Sequence, residues 1–461
     1  MMEDTIAAIS TPFGEGGIGI VRMSGSLTEK ILDEVFVAKK TQKWKERQSH
    51  RLYLGHLQKE GKIIDEVLAV IMKEPHSYTG EDVGEVHCHG GLLAVNLALE
   101  AVLGAGARLA EPGEFTRRAF LNGRLDLVQS EAIIDIIRSQ SSAGLELAVE
   151  QLGGSLSEAI SNCQKQLLRL MAYFEASIDF PEDEIDTIAY DEMDVILTGV
   201  ENKIKGLLDG FSQGKIIREG LKTVILGKPN VGKSSLLNAL LQEDRAIVTE
   251  IPGTTRDVIE ETVNLNGILL RIMDTAGIRP TEDLVEKIGI EKTKEVLKKA
   301  DLALLVLDAG ERLTGHDEMV YRLVQGEGIP SLVLINKIDV DKPMLSREEA
   351  HRLFGEVEFL EISALKGQGL EALSGKIREM VGLGKVGEGP EPLLTRLRHA
   401  QSLKKALEHL QLVRKGLDSG MPVDFLSIDL KEAWESLGSI NGTSIEDDVL
   451  DTIFSEFCIG K

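Results

Sequence analysis

One stretch of eight residues has the spacing needed to hold a phosphate chain. Gly227-Lys228-Pro229-Asn230-Val231-Gly232-Lys233-Ser234 fits G-x-x-x-x-G-K-[ST]. It follows an apolar run and opens a helical pattern, the context this motif requires. Its glycines let backbone N–H groups turn inward around phosphate oxygens. Lys233 places an ammonium at the β and γ positions, and the Ser234 hydroxyl is suited to Mg²⁺. The nucleotide reading takes in Asn230, Val231, Gly232, Lys233, Ser234 and Ser235. Three more groups follow: Asp274-Thr275-Ala276-Gly277, Asn336-Lys337-Ile338-Asp339 and Ser363-Ala364-Leu365. Asp274 is placed to hold a Mg²⁺ shell, and the Gly277 N–H to meet a γ-phosphate. The Asp339 carboxylate can accept from both N1–H and the exocyclic amine of guanine. Adenine has no such donor pair, so GTP is expected over ATP. Each group alone is weak; four in this order, each at the end of an apolar run, are specific.

The elements that must position these groups are short strands alternating with helices. Apolar runs at Thr223–Leu226, Leu269–Met273, Ala303–Leu307, Leu332–Ile335 and Phe359–Ile362 predict a parallel sheet with right-handed crossovers. Residues 1–120 differ. They are glycine-punctuated, with strand-like runs at Ile18–Met23, Val67–Met72 and Val83–His89, and read as a small α+β domain. From residue 121, apolar residues recur at helical spacing through Leu156, Ile160, Leu167 and Phe174. Pro181 interrupts that pattern, which resumes to about residue 210 and again from Leu393 through Leu410. The domains are therefore expected at 1–120, at 121–216 with 384–461 as a split helical domain, and at 217–383 as an α/β insertion.

Fifty-two basic against 75 acidic residues leave a net charge of −23 over 461 residues. That balance argues against holding nucleic acid by bulk attraction. Cys88, Cys163 and Cys458 lie too far apart for a disulfide framework, no apolar run spans a membrane, and a cytoplasmic location is expected. His87-Cys88-His89 puts two histidines on one strand face without a third ligand, a poor zinc site. The acidic cluster Glu182-Asp183-Glu184 with Asp186 reads as helix capping or a partner contact.

The nucleotide motifs resemble the translation-factor-like class of GTPases. Ile278 stands where Ras-like proteins carry a water-orienting glutamine, so another group must orient water. Gly253-Thr254-Thr255-Arg256-Asp257 resembles the first switch of potassium-activated GTPases. With Gly14-Glu15-Gly16-Gly17-Ile18-Gly19-Ile20-Val21-Arg22, Phe115, Phe120-Leu121-Asn122-Gly123-Arg124, Phe180-Pro181 and the closing Cys458-Ile459-Gly460-Lys461, the chain resembles the bacterial tRNA-modification GTPase family MnmE, also called TrmE, from end to end.

The resemblance implies a multidomain α/β plus α protein. Its parts would be a folate-binding and dimerising N-terminal domain, a discontinuous helical domain and an inserted Ras-like P-loop GTPase domain. It implies a homodimer that works with the FAD-dependent protein MnmG on the wobble uridine of certain tRNAs. A tetrahydrofolate derivative would supply one carbon, and glycine or ammonium the nitrogen. GTP contacts would extend over Thr249, Glu250, Ile251, Pro252, Gly253, Thr254 and Thr255. Potassium would fall on Asn230, Thr249, Ile251 and Thr254, doing the work of an arginine finger. Mg²⁺ would fall on Ser234 and Thr255. Glu286, by its own context a solvated helix-face residue, becomes the family's water-orienting acid. Folate contacts fall on Arg22, Glu85, Arg124 and Lys461; other members can carry lysine in place of Arg124. For Cys458 two readings stand side by side: a buried structural cysteine, or a thiol supporting the modification chemistry. The same nucleotide motifs would also serve a GTP-switched RNA-binding or ribosome-assembly factor, or a folate-binding protein with a regulatory G domain.

Overall fold

The structure is a computed structural model. It describes residues 4–38, 43–179, 190–243, 261–265, 267–273, 293–345, 347–355, 357–382, 392–445 and 447–461. Two compact units divide the chain. The first holds Met1–Ile134, Leu152–Thr187 and Glu408–Lys461; the second holds Asp135–Gln151 and Ile188–Leu407.

The first unit is built on a seven-stranded sheet. In chain order its strands are β1 (Ile6–Ile9), β2 (Gly16–Ser24), β3 (Phe36–Ala38), β4 (Tyr53–Lys59), β5 (Lys62–Met72), β6 (Val83–Gly90) and β7 (Arg108–Leu109). Their spatial order is β3-β4-β5-β6-β2-β1-β7. All neighbours are antiparallel except β1 with β7. Alternation sorts the side chains into two faces. Val21, Met23, Val86 and Cys88 join the core with the helices Thr28–Val35 and Leu92–Gly104. The opposite face, which carries Arg22 and Glu85 in register, has a smaller cluster of Ile6, Ala8, Ala110 and Phe115, with Tyr78 against it.

The helices of this unit follow a seven-residue pattern. On Ser155–Asp179, Leu156, Ile160, Cys163, Leu167, Leu170 and Phe174 are buried at steps of four and three. On Val423–Asn441, Leu426, Leu430, Ala433, Leu437 and Ile440 repeat those steps, and the two helices pack together. Such a stripe is the face a helix must remove from water. Gln164 fixes the register. It accepts from Asn441 Nδ2 at 2.9 Å and donates to Thr443 Oγ1 at 3.2 Å.

The second unit contains a six-stranded sheet: β8 (Leu221–Leu226), β9 (Glu261–Leu265), β10 (Ile268–Met273), β11 (Leu302–Asp308), β12 (Ser331–Asn336) and β13 (Phe359–Glu361). The order is β13-β12-β11-β8-β10-β9. Both faces are covered. Leu302, Leu304 and Val306 enter one core with Leu236 and Leu240, and Ala303, Leu305 and Leu307 enter the other with Val324 and Phe354. Continuous burial of this kind is what allows a parallel strand to be wholly apolar.

The all-parallel expectation needs one correction. β9 pairs antiparallel to β10 at the sheet edge. The Asn264 side chain accepts from the Gly267 N–H at 2.9 Å and Gly267 has φ of 90°, so a tight hairpin replaces a crossover helix. Further helices include Leu127–Arg138, Ser142–Leu152, Tyr190–Asp209 and Leu397–Asp418.

Candidate functional site

In the second unit the ends of β8, β11, β12 and β13 lie along one sheet edge; β8, β12 and β13 are each followed by a group named from sequence, and β11 ends at Asp308. The loop after β8 is tight. Gly227 has φ of 142°, and a Cβ there would stand 2.3 Å from the Val306 carbonyl oxygen. Gly232 has φ of 99°, and a Cβ there would stand 2.2 Å from Asn336 Nδ2. Only glycine fits either position. Asn230 also has positive φ, at 65°, which asparagine tolerates better than most residues.

Lys233 opens the helix Lys233–Glu243. Its Nζ donates to the carbonyls of Gly227 at 2.7 Å and Lys228 at 2.5 Å. Burial pushes its pKa down, and among the described residues no carboxylate pairs with it. An ammonium held only by carbonyls is ready to exchange them for phosphate oxygens. Ser234 and Ser235 follow in the first helical turn, both exposed.

Asn336 ties the site together. Its Nδ2 donates to the Val231 carbonyl at 2.9 Å, and its Oδ1 accepts from the Ala364 N–H at 3.0 Å. Lys337 donates to the Asn230 carbonyl at 2.7 Å and to Asp308 at 2.6 Å. Asp339 Oδ1 accepts from Ser363 Oγ at 2.7 Å; that bond, aided by the Lys366 charge, holds its carboxyl below the ordinary value. Leu365, in the loop that begins at Ser363, is 83% exposed. The structure thus brings together Asn230 through Ser235, Asn336, Lys337, Asp339 and Ser363 through Leu365. Asp308 was missed from sequence, although an acid closing an apolar strand on the ligand edge was the available signal.

Thr249, Glu250, Ile251, Pro252, Gly253, Thr254, Thr255, Asp274, Thr275, Ala276, Gly277, Ile278 and Glu286 lie outside the described residues, as does the acidic cluster at 182–186. Of the Mg²⁺ and K⁺ ligands named above, only Ser234 and Asn230 are therefore described.

The first unit holds a second constellation. Arg22 Nε donates to Glu85 Oε1 at 2.8 Å, and His87 Nε2 meets Glu85 Oε2 at 3.0 Å. Burial alone would raise the Glu85 carboxyl. The His87 hydrogen bond, with the charge and hydrogen bond of Arg22, outweighs burial and keeps it below the usual range. The Arg22 guanidinium lies 5.5 Å from the Tyr78 ring centre and 6.0 Å from that of Phe115. Arg124 lies 5.1 Å from the Tyr78 ring and donates to the Tyr78 carbonyl at 2.9 Å. The Tyr78 hydroxyl pairs with Thr116 at 2.8 Å. Tyr78 was not singled out from sequence, because a lone tyrosine in a loop carries no spacing signal.

The segment 458–461 joins this constellation. Ser10 Oγ donates to the Gly460 carbonyl at 3.2 Å, and the Gly113 N–H donates to the Cys458 carbonyl at 3.4 Å. Gly460 has φ of 93°, and a Cβ there would stand 2.3 Å from the Ile9 carbonyl oxygen. Lys461 is half-buried. Burial and the Arg22 charge lower its pKa against the opposing pull of Cys458 and Glu85. Arg22, Glu85, Arg124 and Lys461 are therefore gathered around one face of the sheet. Cys458 is exposed, which sets aside the buried structural reading. Cys88 is the buried one; its thiol donates to the Gly19 carbonyl at 3.3 Å, and burial with the Asp65 charge pushes it up to about 11. Among the described residues no group of three His, Cys, Asp or Glu side chains forms a metal site.

A phosphate cradle at the edge of a mostly parallel sheet, with the Asn336–Asp339 loop beside it, defines a P-loop GTPase-like unit. A family model described as the MnmE helical domain matches residues 127–458, and one described as GTP-binding protein TrmE N-terminus matches residues 5–124. The chain is 50% identical to the tRNA modification GTPase MnmE of Desulforamulus reducens, over 100% of both chains. Against the proteins of that name from Carboxydothermus hydrogenoformans and Heliobacterium modesticaldum the identities are 48% and 50%, again over 100% of both chains. The chain belongs to the MnmE family of tRNA modification GTPases. Among the described residues no helix is long and apolar enough to cross a membrane.

Proposed function

We propose that this chain is a potassium-stimulated GTPase that acts with an FAD-dependent partner of the MnmG type. Together they would add an aminomethyl or carboxymethylaminomethyl group to C5 of the wobble uridine, position 34, of certain tRNAs. Family membership at this identity supports the tRNA and GTPase parts. The observation that carries the nucleotide part is the Asn336 bridge, which couples the phosphate cradle to the base-recognition loop. Bound GTP would place its phosphates over Gly232, Lys233 and Ser234, and its guanine between Asp339 and the Ser363–Leu365 loop. Mg²⁺ would sit on Ser234 and Thr255, and Glu286 would orient water. The Asn230 backbone carbonyl is occupied by Lys337, so a cation there would take the exposed side-chain oxygen.

The second constellation supports a tetrahydrofolate site. Glu85 is kept ionised, and each of its oxygens retains a lone pair for a pterin edge. Arg22, Arg124 and Lys461 supply cations for a glutamate tail. Tyr78, packed on the buried Phe115, supplies an apolar face beside them. When bound, the folate would supply the one-carbon unit, and the exposed Cys458 thiol would lie near it through the anchored segment. The working form would be a homodimer joined through residues 1–120, with the split helical domain and the G domain at the boundaries given above. The test is nucleoside analysis of tRNA from cells lacking the gene. Loss of the 5-aminomethyl-type uridine supports the proposal; an unchanged profile overturns it.

A further inference from the structure

Lys228 is the one charged P-loop residue to which the nucleotide reading assigns no side-chain task. Its side chain is only 15% exposed, and its Nζ pairs with Asp317 Oδ2. The Asp317 side chain is 3% exposed. The same Oδ2 accepts from the Thr314 N–H at 2.9 Å and from the Thr314 hydroxyl at 3.1 Å. One carboxylate oxygen therefore caps the helix Gly315–Gly326 and anchors the second residue of the phosphate loop. Lys228 is also held from its backbone, because its carbonyl accepts from Lys233 Nζ at 2.5 Å.

Lysine is a poor choice here without that partner. The positive end of a helix dipole repels a cation, and withdrawal from water penalises the ammonium. Asp317 offsets both effects. It is itself nearly buried, so neither charge can be removed without stranding the other. The Lys228 ammonium is committed to Asp317, while its carbonyl faces the lysine that meets phosphate.

We propose that Lys228 and Asp317 form a positioning pair that sets the backbone of the phosphate loop and thereby governs how tightly guanine nucleotide is retained. This rests on residues 227–234 being the phosphate cradle. The experiment uses the full chain and a fluorescent mant-GDP probe, with release followed by stopped flow and GTP turnover measured in parallel. Asp317→Asn keeps a capping oxygen but removes the charge. Lys228→Met keeps the stem but removes the ammonium, and Lys228→Arg restores a cation.

Each of the first two variants is expected to release mant-GDP about tenfold faster and to raise KM for GTP similarly, with the loss in KM rather than kcat. Lys228→Arg should remain near the parent. The double variant Lys228→Met/Asp317→Asn should recover part of the loss, because no charge is left unpaired. Parent-like release in both single variants overturns the pair, and so does additive loss in the double variant. A fall in kcat at constant KM would place Lys228 in the chemistry instead and overturn the positioning role. Should Asp317→Asn fail to fold, the two Lys228 variants decide the matter. A parent chain that retains no mant-GDP overturns the cradle reading itself, a result distinct from failure of the pair.

Discussion

Arg22 and Glu85 are register partners on β2 and β6, and their side chains meet at 2.8 Å across the strands. Each is the other's counter-ion on a face that also carries Tyr78 and Phe115. The pair, with His87, holds a carboxylate ionised in a partly buried place.

Changing Glu85 to glutamine keeps the shape and removes the charge. Reduced-folate affinity should fall about 10- to 100-fold, the usual range for a lost charge-assisted hydrogen bond. Lys461→Met should weaken the same ligand. Isothermal titration with unchanged affinity in both variants would remove these residues from the site.

Asp339→Asn should alter base preference. An amide cannot accept from both guanine donors, but its NH₂ can donate to the 2-carbonyl of xanthine. GTP affinity should fall about a hundredfold or more while XTP binding appears. Competition with mant-GDP reads both.

Gly232→Ala should abolish nucleotide binding. The new Cβ meets Asn336 Nδ2 at 2.2 Å at a backbone φ that alanine resists, so the Val231 and Ala364 bonds must break. Retained affinity would mean that the Asn336 bridge is dispensable.

Acid should loosen the first unit. Arg118, with its side chain 1% exposed, pairs with Asp4, Glu81 and Glu114. Burial favours protonation of Asp4 and Glu114. The hydrogen bonds and charges of Arg108 and Arg118 outweigh it, so both folded pKa values lie below the ordinary 3.8 and 4.5. A carboxyl depressed in the folded state stabilises fully above its ordinary value, and that contribution drains away as pH falls through the folded value. The calorimetric midpoint should be steady from neutrality to about pH 5 and then drop. The doubly neutral variant Asp4→Asn/Glu114→Gln should show a shallower drop. A parent midpoint indifferent to acid would contradict the linkage.

GTP turnover should be much faster in potassium than in sodium, and Glu286→Ala should lower it about a hundredfold or more with GTP binding retained. Equal rates in the two salts would sink the cation site. Undiminished turnover in the variant would move the water-orienting role to another group.

The nucleotide cradle was legible because its constraints are local. Gly227, Gly232 and Lys233 sit within seven residues, and each is demanded by backbone geometry or charge. The β-strand runs were legible for the same reason. β9 was not, because whether Glu261–Leu265 pairs parallel or antiparallel depends on the turn at Gly267. Tyr78 and the Lys228–Asp317 pair were invisible because their meaning comes from partners distant in sequence. The placement of Arg22, Glu85, Arg124 and Lys461 on one face was equally nonlocal, and only resemblance to a family could suggest it.

The Ser10–Gly460 bond closes a separation of 450 residues. Closing so long a loop costs little more entropy than closing a shorter one, but it cannot happen until the later segment exists. β2 and β6 can pair early, since they lie close in sequence. Lys461 reaches them only after the nucleotide-binding unit has been synthesised. Gathering of Lys461 onto the Arg22–Glu85 face is therefore a late event in the life of the chain. A nascent molecule can display a finished sheet and still lack the lysine that completes this charged face.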